Sequence, residues 1–549
     1  MYDKITVTFN DSSTAEFEYN TPIFEIALVY QHKMANPILG VKVDNQVVDM
    51  GTKLDKNATL HFFDINDING YKMYQAGLKF VLKAAVGELY GRRVRVDFNS
   101  SLEKGIMSRF SFLQGTSEVS LEDIKTKMLE IMDKNIPFIK IDVTKKEVAA
   151  YYETVDEKEK AINIRNTANS IFRLYKLMDY YNYFYVDMPY STGGLKKFDL
   201  KPISDSEFLL LFPNPRSNGE LPEFKINEKI LLLHEDYRNW LKAMNLEYVW
   251  GFNKVVSEGN VEEYIRRTEI RFDDKLKAIC DEIIGKLDKL RMVLIAGPSS
   301  SGKTTTTKEL ALRLRSRGIE TLTISVDDYY KEMDERPLDE HGKKDLESLA
   351  ALDTELFNQH LTALINGEEV IIPEYNFITG RKEYEKKPVR ISDKTLILIE
   401  GLHCMNEELT SKISRDTKYK IYLNLLTPLG LDRHNHVSVM DLRMIRRIVR
   451  DNRTRGHDVS KTISHWQKVR DGEEKNIFPF SPDADFVLNT ALVYELGVLK
   501  VYVEPLLFSV EIKSPYYEEA RRLMSFLKSF HPVPSEFVPS NSILREFIG

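Results

Sequence analysis

Two cysteines in 549 residues, Cys280 and Cys404, leave no disulfide framework and point to a reducing compartment. No apolar run approaches the roughly 18 residues that cross a bilayer. The opening MYDKITVTFNDSS carries an early acid and alternates apolar with polar residues, which reads as a strand and not as a secretory leader. The expectation is a soluble, cytoplasmic protein with no membrane partner. Repeats and low-complexity tracts are lacking. So is a strong charge of one sign: a net charge of -6 over this length argues neither for nor against nucleic acid. The widest gap is in soft metal ligands, because no histidine or cysteine occurs between His61 and His234. What is present is 42% apolar and 11% aromatic residues, enough for several packed cores. The length predicts about two to four domains.

Period and punctuation divide the chain into five segments. Residues 1–65 alternate short strand-like runs with a helix-like stretch near Ile23–His32, a small mixed α+β domain. Residues 66–205 open on helical spacing, with Leu78, Leu82, Ala85, Val86 and Leu89 on one face and Gly91 as its stop. Residues 206–290 connect, through the loop 214–219, to an amphipathic helix from Val261 to about Leu290. Its buried side is Ile265, Phe272, Leu276, Ile279, Ile283 and Leu287. Residues 291–512 alternate five aliphatic strands with helices, the mark of a parallel α/β sheet. Residues 513–549 read as a C-terminal helix and tail.

The α/β segment carries the chemistry. Gly297-Pro298-Ser299-Ser300-Ser301-Gly302-Lys303-Thr304 follows a strand and opens a helix, as a phosphate-binding P-loop requires. Glycines let backbone N–H groups turn inward, and the helix N-terminus adds positive potential. Lys303 is expected to neutralise β- and γ-phosphate oxygens, and Thr304 to ligate Mg²⁺. The next strand delivers Asp327 at its carboxyl end, where it can take a proton from an acceptor hydroxyl and help hold magnesium. A third strand delivers Glu400, suited to a second magnesium-orienting acid. Helical spacing puts Arg443, Arg446, Arg447 and Arg450 close to one face, which suits a solvated helix, a nucleic-acid patch or, next to a P-loop, a lid over a transferred phosphoryl. His434-Asn435-His436 reads as loop chemistry, and His403 and Cys404 are assigned no role.

Together, GPSSSGKT, ISVDDYY, IPEYNF, ILIEG and RMIRRIVRDNRTRG make residues 291–510 resemble the uridine kinase/phosphoribulokinase family. The resemblance implies a P-loop kinase fold, ATP as phosphate donor with Mg²⁺, and a small-molecule acceptor, a nucleoside in the uridine kinases. It implies catalytic roles for Lys303, Asp327 and Arg450. The donor would be held by Gly297, Pro298, Ser299, Ser300, Ser301, Gly302, Lys303, Thr304, Thr305 and Arg455. Asp327, Glu347, Tyr375 and Arg447 would bind the acceptor, with Glu347 on the ribose hydroxyls and Tyr375 on the base. Thr304, Asp327 and Glu400 would serve the metal. Three positions depart from the family pattern: the run after Tyr375 lacks its histidine, His457 replaces the last lid arginine, and His465 stands for a base-reading glutamine.

Residues 1–65 resemble a TGS domain, a β-grasp module, and 66–205 resemble the editing domain of threonyl-tRNA synthetases, notably in AVGELYG and VDMPYSTGGLKKFDL. There the family carries histidines and a cysteine; here Gln75, Lys79 and Met188 stand instead, so the resemblance implies the fold without the metal chemistry. A weak RNA contact through this half is compatible with it, and an oligomer is left open. Three readings follow: a nucleoside kinase, a sugar-phosphate kinase, or an RNA-associated nucleotide switch. No [NT]-K-x-D guanine-reading motif follows the P-loop, which argues against a GTPase form of the last.

Overall fold

A computed structural model describes residues 4–549 apart from 103, 114–117, 156, 168, 224, 226, 339–341, 343, 346, 377, 378 and 386. Of the residues singled out above, Met1 to Asp3, Leu346, Phe377 and Ile378 lie outside the described residues.

The first unit is a five-stranded sheet whose order runs Thr14–Glu18, Lys4–Thr8, Ala58–Phe63, Gly40–Val43, Gln46–Val48. The first and last strands of the unit's central pair run parallel, and helix Ile23–Tyr30 lays Ile23, Ile26, Ala27 and Tyr30 on the sheet. This is a β-grasp arrangement. Its alternation of apolar and polar residues, Ile5 and Val7 inward, is what a sheet covered on one face demands.

Helix Ile68–Tyr90 follows, capped by the Asp67 carboxylate accepting from the Asn69 amide and ended at Gly91, whose φ of +60° suits glycine. Leu78, Leu82, Ala85 and Val86 are buried, as their spacing predicts. The helix backs a four-stranded antiparallel sheet ordered Asp199–Pro202, Glu207–Leu211, Gly105–Phe112, Val94–Leu102. Strand Glu207–Leu211 pairs with Gly105–Phe112, so this sheet extends past residue 205, where the connecting region was expected to begin. A separate three-stranded sheet joins Ile139–Thr144, Ile171–Leu177 and Tyr180–Tyr183.

The last unit is a parallel five-stranded sheet ordered Thr321–Ser325, Leu396–Glu400, Met292–Ala296, Lys418–Asn424, Phe486–Asn489. Its middle strand is buried at every residue, hence its unbroken aliphatic run. Helix Val261–Ile284 packs Ile265, Leu276, Ile279 and Ile283 into the same core as Val293 and Ile295. So do Leu523 and Phe526 of helix Tyr517–Leu527, and Ile543 and Phe547 of the tail. The connecting helix and the tail are therefore walls of the α/β unit.

The halves interlock. The two-stranded hairpin Gly430–Asp432/Asn435–His436, read from the sequence as loop, reaches from the α/β unit into the front half. Lys79 Nζ donates to the His434 carbonyl at 3.2 Å, and Asn435 Nδ2 to the Tyr183 carbonyl at 3.0 Å. Arg433 pairs with Asp97 at 3.1 Å and Lys160 with Asp432 at 3.4 Å. A second patch joins Lys72 to Glu519 at 2.8 Å and Arg522 to both Glu519 and Asp441. Buried polar groups cost several kcal/mol when unpaired, so these pairings fix one docking arrangement. Among the described residues, no helix is long and apolar enough to cross a membrane.

Candidate active site

The P-loop turns tightly between the middle strand and helix Lys303–Ser316. A Cβ on Gly297 would stand 2.6 Å from Ser301 Oγ and 2.9 Å from Leu423 Cβ, so only glycine fits. Gly302 has φ +83°, and Ser300 has φ +62°, a conformation that costs a side-chain residue about 1–3 kcal/mol and clusters at ligand clamps. The Ser300 and Ser301 hydroxyls are buried without a hydrogen bond, a set of spare donors inside an anion-binding turn. Lys303 Nζ folds back to the carbonyls of Gly297 and Pro298, at 3.0 and 3.3 Å.

Beneath the loop, Thr304 Oγ1 donates to Glu400 Oε1 at 3.2 Å, and Ser325 Oγ donates to the same oxygen at 3.2 Å. Burial, and then the charge of Asp327, push the Glu400 carboxyl up to about 7. Two carboxylates at adjacent strand ends, one of them bonded by a threonine hydroxyl, are a hard oxygen set that a divalent cation relieves. The residues present thus fit Mg²⁺, which usually takes only one or two protein carboxylates. Among the described residues, no cluster of three or more His, Cys, Asp or Glu is arranged to hold a metal ion.

Of the residues expected to bind an acceptor, Glu347 is pushed up to about 7 by burial and then by Glu473, with Asp327 adding to it and Arg447 opposing. Gly472, inside helix Val459–Asn476, allows this: a Cβ there would lie 2.4 Å from Glu347 Cβ. Tyr375 is buried at 4% exposure, its ring beside Tyr330 at 5.7 Å. The Arg336 guanidinium sits 4.8 Å from both rings, a cation–π clamp that sequence reading did not single out. Gly380 closes on Met333 and Tyr375, while His465 is exposed, bonded to the Lys461 carbonyl.

Helix Val439–Arg455 carries the arginines, and it divides them. Arg443 and Arg446 are buried, in pairs with Glu473 and Glu495. They brace the P-loop from behind, Arg443 on the Ser299 carbonyl and Arg446 on the Ser300 carbonyl, both at 3.1 Å. This corrects their reading as lid residues sharing one face. Arg447 reaches Ser299 Oγ at 2.7 Å. Arg447, Arg450 and Arg455 all turn to Asp451, at 3.1, 2.8 and 3.7 Å. Three guanidiniums on one buried acid leave two positive charges in excess.

Glu473 and Asp451 are the residues that sequence reading missed. Glu473 accepts from the Ser299 amide at 2.8 Å, a carboxylate holding the P-loop backbone. One signal was available: Gly472, a glycine within a helical pattern, often marks a close approach. On the C-terminal side, Thr305 Oγ1 donates to Glu546 of the tail at 3.0 Å. His403 and Cys404 are buried in the core.

At the front-half site, Gln75 and Lys79 line a cavity at the seam, and Met188 is buried at 8% exposure.

Residues 292–495 match the model of the Phosphoribulokinase / Uridine kinase family. A uridine kinase of Macrococcus caseolyticus is 29% identical over 203 residues, 37% of this chain and 89% of that protein. A threonine–tRNA ligase of Burkholderia orbicola is 27% identical over 201 residues, 36% of this chain and 32% of the ligase. The chain thus spans about a third of the length of the ligases it matches. The solved structure of a possible uridine kinase from Bacillus stearothermophilus is similar at 22% identity, covering 40% of this chain and 100% of that one, with a TM-score of 0.29. Residues 292–495 of this chain are thus similar to the phosphoribulokinase/uridine kinase family, and its N-terminal region is similar to threonine–tRNA ligases.

Proposed function

We propose that the chain transfers the γ-phosphoryl of ATP to the 5′-hydroxyl of a ribonucleoside. The observation that carries this reading is the half-buried Glu347 carboxyl, which feels the charges of Glu473, Arg447 and Asp327. An acid in such a setting that makes no ion pair with any described residue suits two neighbouring hydroxyls, as on a ribose. In the reaction the acceptor O5′–P bond forms, the bond from Pγ to the β,γ-bridging oxygen breaks, and the hydroxyl proton passes to Asp327. Lys303 leaves the loop carbonyls for the β- and γ-oxygens. Thr304, Asp327 and Glu400 would hold Mg²⁺ with the phosphates. When bound, the ion neutralises charge on the phosphate oxygens. Arg447, Arg450 and Arg455 would close on the phosphoryl, trading part of their hold on Asp451 for it, and exclude water.

A second reading keeps the chemistry and changes the acceptor to a sugar phosphate. The two excess positive charges around Asp451 favour it. The experiment is a panel of nucleosides and sugar phosphates with ATP and Mg²⁺, read by product mass. A nucleoside monophosphate as main product supports the first reading. A sugar bisphosphate formed far faster than any nucleotide replaces it with the second.

A further inference from the structure

A cavity of about 160 Å³ lies at the seam between the halves, walled by helix Ile68–Tyr90 on one side and by the P-loop and the start of helix Val439–Arg455 on the other. That volume is in the range that takes a benzene-sized molecule. Its lining is mixed. Leu102, Phe184, Leu426 and Phe478 give it an apolar body. Tyr71, Gln75, Lys79 and His436 supply polar groups.

Those polar groups are under-used. Gln75 makes no side-chain hydrogen bond to any described residue, and His436 Nδ1 is buried without one. Burial and the charge of Lys79 keep the His436 imidazole neutral, so it can donate as well as accept. The charges are unbalanced as well. Lys72, Arg443, Arg470 and Arg522 each have a carboxylate, in Glu519, Glu473, Glu474 and Asp441. Lys79 makes no ion pair among the described residues; it has the His434 carbonyl and the rings of Phe98 and Phe184, at 5.8 and 5.6 Å. Burial pulls its ammonium down to about 8, which leaves it a cation at neutral pH. The acid that acts on it, Asp432, is already paired with Lys160; a buried cation so placed is costly, and here it borders an open volume with spare donors.

We propose that this cavity is a binding site for a small carboxylate with an apolar body, its carboxylate on Lys79 with Gln75 and His436 as further donors. The position gives such a ligand a route to the kinase site. Pro298 and Arg443 are part of the wall; Arg443 donates to the Ser299 carbonyl, and its partner Glu473 accepts from the Ser299 amide. A ligand that presses on this pair shifts the phosphate cradle, and any change it makes in donor affinity must be matched by an equal change in its own. This coupling rests on the P-loop being the donor site; the binding site does not.

The test uses the full chain with benzoate, and with benzamide as the neutral analogue of the same shape. Calorimetry should find benzoate binding and benzamide at least about tenfold weaker, the scale of a hydrogen bond to a charged group. Lys79→Met should remove that preference, and Lys79→Arg should retain it, which separates a charge contact from a folding defect. Benzoate binding unchanged in Lys79→Met, or no binding of benzoate, butyrate or pivalate at 10 mM (roughly 3 kcal/mol), overturns the proposal. The affinity for ATP is then measured with and without saturating benzoate. A shift supports the coupling and indifference overturns it. A chain that binds benzoate but no ATP removes the kinase reading and leaves the site standing.

Discussion

Thr304 Oγ1 and Glu400 Oε1 are 3.2 Å apart, joining the second residue of the P-loop helix to a strand end 96 positions later. If this pair and Asp327 are the magnesium site, Glu400→Gln removes a ligand charge but leaves the cradle. The magnesium concentration for half-maximal activity should rise about tenfold or more, while ATP binding without metal stays near that of the parent. An unchanged magnesium dependence would place the metal elsewhere.

Lys303→Ala and Asp327→Asn should fail in different ways. The first loses the cation for the β- and γ-phosphates, so both ATP affinity and turnover should drop. The second keeps the cradle, so ATP should still bind while turnover falls about a hundredfold or more, the scale of a lost general base. Equal effects of the two on ATP affinity would contradict the assignment.

Glu347 is pushed up to about 7 by burial, so its charged form declines as pH falls through that value. Glu400, also pushed up to about 7, changes the hold on Mg²⁺ and ATP over the same range, so the acceptor is read at saturating Mg²⁺ and ATP: a ribose diol donates to the Glu347 carboxylate, and acceptor KM should rise below about pH 7. Glu347→Gln should flatten that limb. Gly472→Ala, whose Cβ would stand 2.4 Å from Glu347 Cβ, should raise acceptor KM without touching Mg²⁺ dependence. Pre-steady-state binding of nucleosides at several pH values checks this without relying on turnover.

Burial alone would raise the Glu519 carboxyl, but Arg522 and Lys72 hold it well below the carboxylate range. A depressed acid contributes stability that is complete above its ordinary value of 4.5 and is lost as pH falls below it. The seam should thus loosen in acid. Glu519→Gln strands the Lys72 ammonium and leaves Arg522 with Asp441 alone; it should cost roughly 3–5 kcal/mol, with most of the acid sensitivity gone. Denaturant melts of parent and variant at pH 7 and pH 4 compare the two; equal pH sensitivity would show that the seam is held otherwise.

With Gln75, Lys79 and Met188 in place of soft ligands, the front half should carry no stoichiometric zinc and release no amino acid from mischarged tRNA. Elemental analysis and a deacylation assay on the full chain decide it. One zinc per chain, or measurable deacylation, would reverse the reading.

The central strands of the parallel sheet, Met292–Ala296 and Leu396–Glu400, were legible because each is a short aliphatic run buried on both faces. The P-loop was legible because its glycines answer local backbone needs, visible in eight residues. The lid helix was legible only in outline. Spacing placed Arg443 and Arg446 on one face with Arg447 and Arg450, but their partners Glu473 and Glu495 lie 30 and 49 residues away, beyond any local pattern. Arg336 escaped because one of its two aromatic partners, Tyr375, comes from the distant strand Glu374–Asn376. The hairpin at His434 looked like a polar loop because the surface that buries it belongs to the other half of the chain.

That hairpin also sets a schedule. The Lys79 ammonium meets the His434 carbonyl across 355 residues of sequence. At about 5–20 residues per second, roughly 20–70 seconds of synthesis separate the two. For that time the front half stands on the ribosome with its cavity open and the lysine uncovered. The seam's charged pairs keep this waiting surface hydrated rather than sticky; the hairpin then covers the lysine, and Arg522 and Phe526, later still in the chain, complete the wall.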